Sequence, residues 1–210
     1  NIRKFVYYLL SCNVGEILVI FLAMISGLPL PLVAIQLLVL NLITDGAPAL
    51  ALGLEKGDPD IMDQPPRPVH EPVVNRAMIT GIGVQGLAIA AATLTAFVIG
   101  LRWFPDNLAH AQTMAFSTLS ISELLRAYTS RSERYAIWAI GPLANRYMQY
   151  AVLSSLAILL AIIYVPALDP IFNTTFLTLK DWLVMIPLIL VPSVAAEVNK
   201  WVLRRSEATA

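Results

Sequence analysis

The sequence predicts an all-α fold: a polytopic membrane bundle of six transmembrane helices, the second unwound near Thr44–Pro48. Three observations carry this. The 210 residues are 58% hydrophobic and 13% charged, with mean hydropathy +0.71, against about 45–50% and about 25% in soluble domains. Apolar runs of about 20 residues, the length of one helical crossing, recur six times between short polar connections. The fourteen Lys and Arg residues divide very unevenly between alternate connections.

The first span covers about 6–25 and stops at Ser26-Gly27-Leu28-Pro29, a helix-ending signal. It carries Asn13 and Glu16 and has no small-residue cleavage pattern, so it reads as a true span rather than a signal peptide. The chain starts with Asn only a few residues earlier and reads as a piece of a longer protein. A tight turn leads into the second span, about 32–54, so the two form a hairpin. Residues 55–75 are polar and proline-rich, a loop. The third span, about 77–100, carries Gly81, Gly83 and Gly86 on one flank, a spacing that usually marks close helix packing. The fourth, about 108–128, is the least apolar and holds Ser117, Thr118, Ser120, Ser122 and Glu123. The fifth covers about 147–165. The sixth, about 182–201, contains Pro187 and Pro192, which should kink it.

Six spans place both termini on one side. Arg102 and Lys180 then fall on one face and the other twelve basic residues on the opposite one. By the positive-inside rule the twelve are cytoplasmic, and with them both termini and the 55–75 loop. Net charge is zero, with no basic surface to suggest nucleic acid. The single Cys12 excludes an internal disulfide.

The second span is interrupted by Asn41-Leu-Ile-Thr44-Asp45-Gly46-Ala-Pro48. Pro48 has no N–H for the Thr44 carbonyl, and its ring displaces that carbonyl. Irregular backbone at membrane depth is tolerated only where protein or a polar cavity surrounds it. Glu16, Asp45 and Glu123 each cost about 2.5–3.5 kcal/mol or more at the centre of an isolated helix, and such acids normally face inward and serve function. Asn13 and Glu16 are three residues apart and share a face; so do Asn41, Thr44 and Asp45 at spacings of three and four. Carboxylate, amide and hydroxyl oxygens select a hard cation such as calcium over copper or zinc. The opposing reading makes these groups interhelical glue, and Arg126, three residues after Glu123, offers that acid a partner. Asp58, Asp60 and Asp63 lack the glycine and glutamate of a calcium loop and read as part of a docking loop. His70 and His110 are isolated, and Cys12 reads as a packing residue.

The runs Cys12-Asn-Val-Gly-Glu16, Gln36-Leu-Leu-Val-Leu-Asn41-Leu-Ile-Thr-Asp45-Gly46 and Asp60-Ile-Met-Asp-Gln-Pro-Pro-Arg67 resemble the type II P-type ATPases, calcium pumps of the sarco/endoplasmic reticulum kind in particular. The resemblance covers essentially the whole chain, residues 1–210, as the C-terminal transmembrane domain (fifth to tenth helices) of a cation-transporting ATPase. It implies the ion-binding half of an ATP-driven calcium pump with alternating access. Asn13, Glu16, Asn41, Thr44, Asp45 and Glu123 match its metal ligands, with Asp45 bridging two ions. It also implies an enzyme, a translocase, whose ATP and magnesium are bound by other parts. The partners would be the first four helices, a phosphorylation domain reached through residues 55–75, and membrane lipid. The short connection from Arg102 to His110 points to a bacterial-type member in the plasma membrane, and Glu16 favours two ions. The alternatives are a pump for sodium or manganese, or a self-contained six-helix transporter or channel.

Overall fold

The computed structural model describes residues 1–58, 61, 72–132 and 135–208. Among these, every regular element is helical: α1 (Ile2–Ile25), α2 (Ala34–Val39), a π-helical turn (Leu40–Thr44), α3 (Gly46–Gly53), α4 (Arg76–Trp103), α5 (Leu108–Thr129), α6 (Ile137–Ile140), α7 (Arg146–Tyr164), α8 (Asp169–Phe172) and α9 (Leu179–Ala208). The Asp60–Arg67 motif, apart from Ile61, lies outside the described residues, as do His70 and most of the expected docking loop.

Helix ends follow local chemistry. Gly27 takes φ +67° after α1. The Leu28 N–H then reaches the Ala23 carbonyl at 3.0 Å and the Gly27 N–H the Met24 carbonyl at 3.1 Å, the paired bonds of a left-handed glycine stop. Asn75, Asn107 and Asn145 precede α4, α5 and α7, and each side chain accepts a backbone N–H from the first turn, satisfying a donor with no partner inside the helix.

Among the described residues, five stretches are long and apolar enough to cross a membrane: α1, the continuous run Ala34–Gly53, residues Met78–Trp103 of α4, α7, and Leu179–Val202 of α9. The expected fourth span is α5, 22 residues long but less apolar than these five. Its position explains the composition. It packs against α4, α9, α7, α3 and the π-helical turn, and nearly every residue from His110 to Thr129 is buried. Its polar side chains therefore face protein, where hydrogen-bonding partners exist, rather than lipid.

The glycine flank of α4 is only partly as expected. A Cβ at Gly86 would sit 2.7 Å from Val14 Cγ1, and one at Gly81 would strike the Tyr7 ring, so both permit α1 to approach. Gly83 has nothing within 4 Å and takes no part. Gly100 supplies the corresponding contact with α5, since its Cβ would lie 2.7 Å from Ala111 Cα. The helix α9 continues through both Pro187 and Pro192.

The break in the second span is milder than unwinding. The chain widens into the π-helical turn, with the Asp45 N–H bonded to the Leu40 carbonyl five residues back at 2.9 Å. Pro48 falls in the first turn of α3, where a missing N–H is least harmful. The Ser155 hydroxyl of α7 donates to the Ile43 carbonyl at 2.9 Å, so the irregular backbone finds a partner on a neighbouring helix, as membrane depth demands.

Candidate metal centre

The helix α1 presents Tyr8, Cys12 and Glu16 at four-residue spacing, hence along one stripe. All three are buried. The π-helical turn and the residue after it face this stripe at two levels. At the first, the Asn41 amide donates to both Glu16 carboxylate oxygens, at 2.9 and 3.2 Å, and to the Leu37 carbonyl at 3.0 Å. At the second, the Tyr8 hydroxyl lies 3.0 Å from Asp45 Oδ1 and 3.3 Å from the Glu123 backbone carbonyl. The tyrosine thereby links α1, the end of the π-helical turn and α5.

Asp45 is 1% exposed and Glu123 0%. Among the described residues, Asp45 Oδ2 and both Glu123 carboxyl oxygens have no hydrogen-bond partner. One carboxylate oxygen of each, together with Cys12 Sγ, lie within 4.8 Å of one another. Buried polar atoms are satisfied in the great majority of cases, so the unpaired carboxyl oxygens of these two residues are an exception that a cation would relieve.

Arg126 does not supply it. Its guanidinium is fully buried but donates to the hydroxyls of Thr129 (3.0 Å), Ser130 (2.8 Å) and Ser11 (3.4 Å) and lies 4.9 Å from the centre of the Tyr7 ring. The expectation that Arg126 could pair with Glu123 is overturned: three hydroxyls and a ring face engage the guanidinium, and it makes no hydrogen bond to the Glu123 carboxyl.

The other candidate residues are less involved. The Asn13 amide donates back to the Leu9 carbonyl at 2.8 Å, leaving its carbonyl oxygen on a partly open face of α1. The Thr44 hydroxyl donates to the Leu40 carbonyl at 2.8 Å and is buried. Asn41 is an exposed residue. The structure thus joins Glu16 with Asn41, and Asp45 with Glu123. Sequence reasoning passed over Tyr8 and read Cys12 as packing, although their spacing from Glu16 signals a common stripe.

Residues 29–202 match the family model described as "Cation transporting ATPase, C-terminus". The chain belongs to this cation-transporting ATPase C-terminal family. It is 45% identical over 193 residues to a calcium-transporting ATPase of Bacillus subtilis (strain 168), covering 92% of this chain and 22% of that protein. Against calcium-transporting ATPase 1 of Bacillus cereus it is 38% identical, covering 95% of this chain and 24% of the relative. Against calcium-transporting ATPase type 2C member 1 of Homo sapiens it is 35% identical, covering 99% and 22%. The chain therefore spans about a fifth to a quarter of the length of the curated relatives it matches.

Outside the centre, this member of the cation-transporting ATPase C-terminal family is fastened at both ends of the bundle. At one end Arg131 Nε and Nη2 donate to the Glu55 carboxylate at 2.7 and 3.1 Å. Asn145 donates to the same carboxylate at 2.8 Å, and Lys4 pairs with Asp58 at 2.9 Å. Burial alone would push the Glu55 carboxyl up. The hydrogen bonds from Arg131 and Asn145, with the charges of Arg131 and Lys4, outweigh it and hold the group below the usual carboxylate range. At the other end His110 Nε2, expected to be an isolated loop residue, is buried within 3.4 Å of Asp181 Oδ1, and Lys180 lies 4.3 Å over the Trp103 ring.

Proposed function

We propose that this chain is the ion-binding half of the membrane domain of an ATP-driven calcium pump. The supporting observation is the meeting of Asp45 and Glu123 from two different helices, buried and without a basic partner, beside a π-helical turn. Calcium takes 6–8 oxygen ligands at 2.3–2.6 Å in adaptable geometry. Asp45 and Glu123 would hold it at the inner level, with Glu16, Asn41, Asn13 and Thr44 contributing at the outer one. Asn13 and Asn41 lie on the open side of α1 and the π-helical turn, where further helices of the pump would complete the coordination.

In this reading ATP and magnesium bind to other parts of the pump. Transfer of the γ-phosphoryl group to an aspartate there changes which state of the membrane helices is favoured, and the ion sites open to alternate sides. The α5 helix is a sixth crossing, and both termini are cytoplasmic. The grouping of Lys4, Arg131 and Lys200 at one end, with Arg102 and Lys180 at the other, accords with the positive-inside rule. The membrane would be the plasma membrane of a bacterium.

The test is Asp45→Asn in the whole pump. We expect loss of calcium-dependent phosphorylation by ATP, while phosphorylation from inorganic phosphate without calcium persists. Calcium-dependent phosphorylation at unchanged affinity in the variant would overturn the assignment. Activation of the unaltered pump by sodium rather than calcium would replace the ion.

A further inference from the structure

The Cys12 sulfur lies beside two of the acids. A buried cysteine is ordinarily a small apolar filler, and Cys12 does join the apolar cluster of Tyr8, Ala49, Leu124 and Met148. Its surroundings are not wholly apolar, however. Two carboxylates from other elements bring oxygens to within 4.8 Å of Sγ and of each other. Both Glu123 oxygens and Asp45 Oδ2 are unpartnered, in residues 0% and 1% exposed. Two independent observations therefore meet at one point: a sulfur, and uncompensated buried oxygens directed at it from α5 and from the end of the π-helical turn.

Donors bound to one zinc-class ion lie about 2.3 Å away for sulfur and about 2.0–2.2 Å for carboxylate oxygen, so in tetrahedral geometry neighbouring donors stand roughly 3.3–3.7 Å apart. The separations here are at most 4.8 Å, so side-chain movements of up to about 1 Å bring the three atoms to that spacing. The donor set is not what a calcium site asks for. Calcium gains little from sulfur, whereas soft thiolate ligands favour softer metals.

We propose that Cys12, Asp45 and Glu123 form a mixed sulfur–oxygen site that captures a borderline-to-soft divalent cation, of the zinc or cadmium class, in competition with calcium. This rests on the calcium-pump reading for the competition, though not for the binding. As the metal–sulfur bond forms, the thiol proton passes to water and the cation takes its place on sulfur; no electron changes hands. Cys12 is then a specificity residue, setting the ratio in which soft and hard ions occupy one pocket.

The experiment uses the whole pump and cadmium chloride as the probe, comparing wild type with Cys12→Ser and Cys12→Ala. Calcium-dependent phosphorylation is titrated with cadmium, and the ratio of half-inhibitory cadmium to half-activating calcium is read. We expect that ratio to rise at least tenfold in both variants. We also expect the near-ultraviolet cadmium–thiolate charge-transfer band to be smaller in each variant by one site per pump. An unchanged ratio in active variants, with an unchanged band, overturns the proposal. Should wild type show no calcium-dependent phosphorylation, the pump reading fails on its own, and loss of the cadmium band in the variants still decides whether Cys12 binds the metal.

Discussion

The ion pair between Glu55 and Arg131 should be one of the strongest local determinants of stability outside the apolar core. The side chains are 5% and 1% exposed. Two guanidinium N–H groups reach the carboxylate, at 2.7 and 3.1 Å, while a third nitrogen donates to the Gly141 and Pro142 carbonyls. Each charge-assisted hydrogen bond contributes about 1.5–3 kcal/mol, so the pair sums to about 3–6 kcal/mol. The independent figure for removing one partner of a buried pair is about 3–5 kcal/mol, because the survivor becomes an uncompensated charge. Arg131→Met or Glu55→Met alone should therefore lose about 3–5 kcal/mol. The double variant leaves no orphan charge, and Asn145 keeps its bond to the Ala51 carbonyl. It should lose much less than the sum of the singles.

The assay is reversible unfolding in mixed detergent micelles, followed by tryptophan fluorescence. The pH dependence adds a second handle. Glu55 is held below the usual carboxylate range in the folded chain, so the unfolded chain takes up its proton at higher pH. The stabilisation is complete above the unfolded-state value and is lost as pH falls through the folded-state value. Arg131→Met should blunt that acid sensitivity. Singles and double that add to within about 0.5 kcal/mol would mean no coupling, and the account of this pair would be wrong.

Other substitutions test the packing and the centre. Gly100→Ala forces a Cβ to within 2.7 Å of Ala111 backbone and should destabilise the same micellar transition by about 1–3 kcal/mol. Gly83→Ala meets nothing within 4 Å and should stabilise it by about 0.5–1 kcal/mol through helix propensity; loss of stability at Gly83 would show α4 to be misplaced. Tyr8→Phe removes the hydroxyl that serves Asp45 and should cost about 1.5–3 kcal/mol without calcium. It should cost less at saturating calcium, since the bound ion then compensates Asp45. Thermal inactivation of the whole pump with and without calcium measures the difference, and an identical loss in both conditions would count against calcium at Asp45.

Much of the architecture is legible in the sequence, for reasons that differ between elements. Apolar length alone marks α1, α4, α7 and α9. The Asn residues at 75, 107 and 145 fix three helix starts because an amide oxygen there captures an orphan N–H. The kind of break in the second span is not legible. Pro48 and Gly46 say that regular bonding fails, but whether the chain unwinds or widens depends on who accepts and donates nearby. The Ser155 hydroxyl, more than a hundred positions along the chain, helps decide that. Spacing likewise put Arg126 within reach of Glu123. Side-chain direction put it instead on Ser11, Thr129 and Ser130, which local periodicity does not reveal.

That last displacement has a chemical consequence. Had the guanidinium turned back along α5, Glu123 would be one half of a closed ion pair, and the proposed cation site would be closed. A buried pair of that kind is stable only when its remaining hydrogen-bonding capacity is met. Here three hydroxyls engage the two terminal nitrogens of Arg126 and the Tyr7 ring lies beside the guanidinium, while Nε has no partner among the described residues. The Glu123 carboxyl oxygens have no hydrogen-bond partner among the described residues, while a permanent positive charge is carried three residues along the same helix. The same sequence feature that suggested interhelical glue thus bears on ion release. In this arrangement an ion held by Glu123 would feel the repulsion of Arg126. Replacing Arg126 by Gln should accordingly tighten calcium binding in the whole pump even as it removes a hydrogen-bonded anchor between α1 and α5. Weaker binding of calcium in that variant would mean that the arginine acts through position alone.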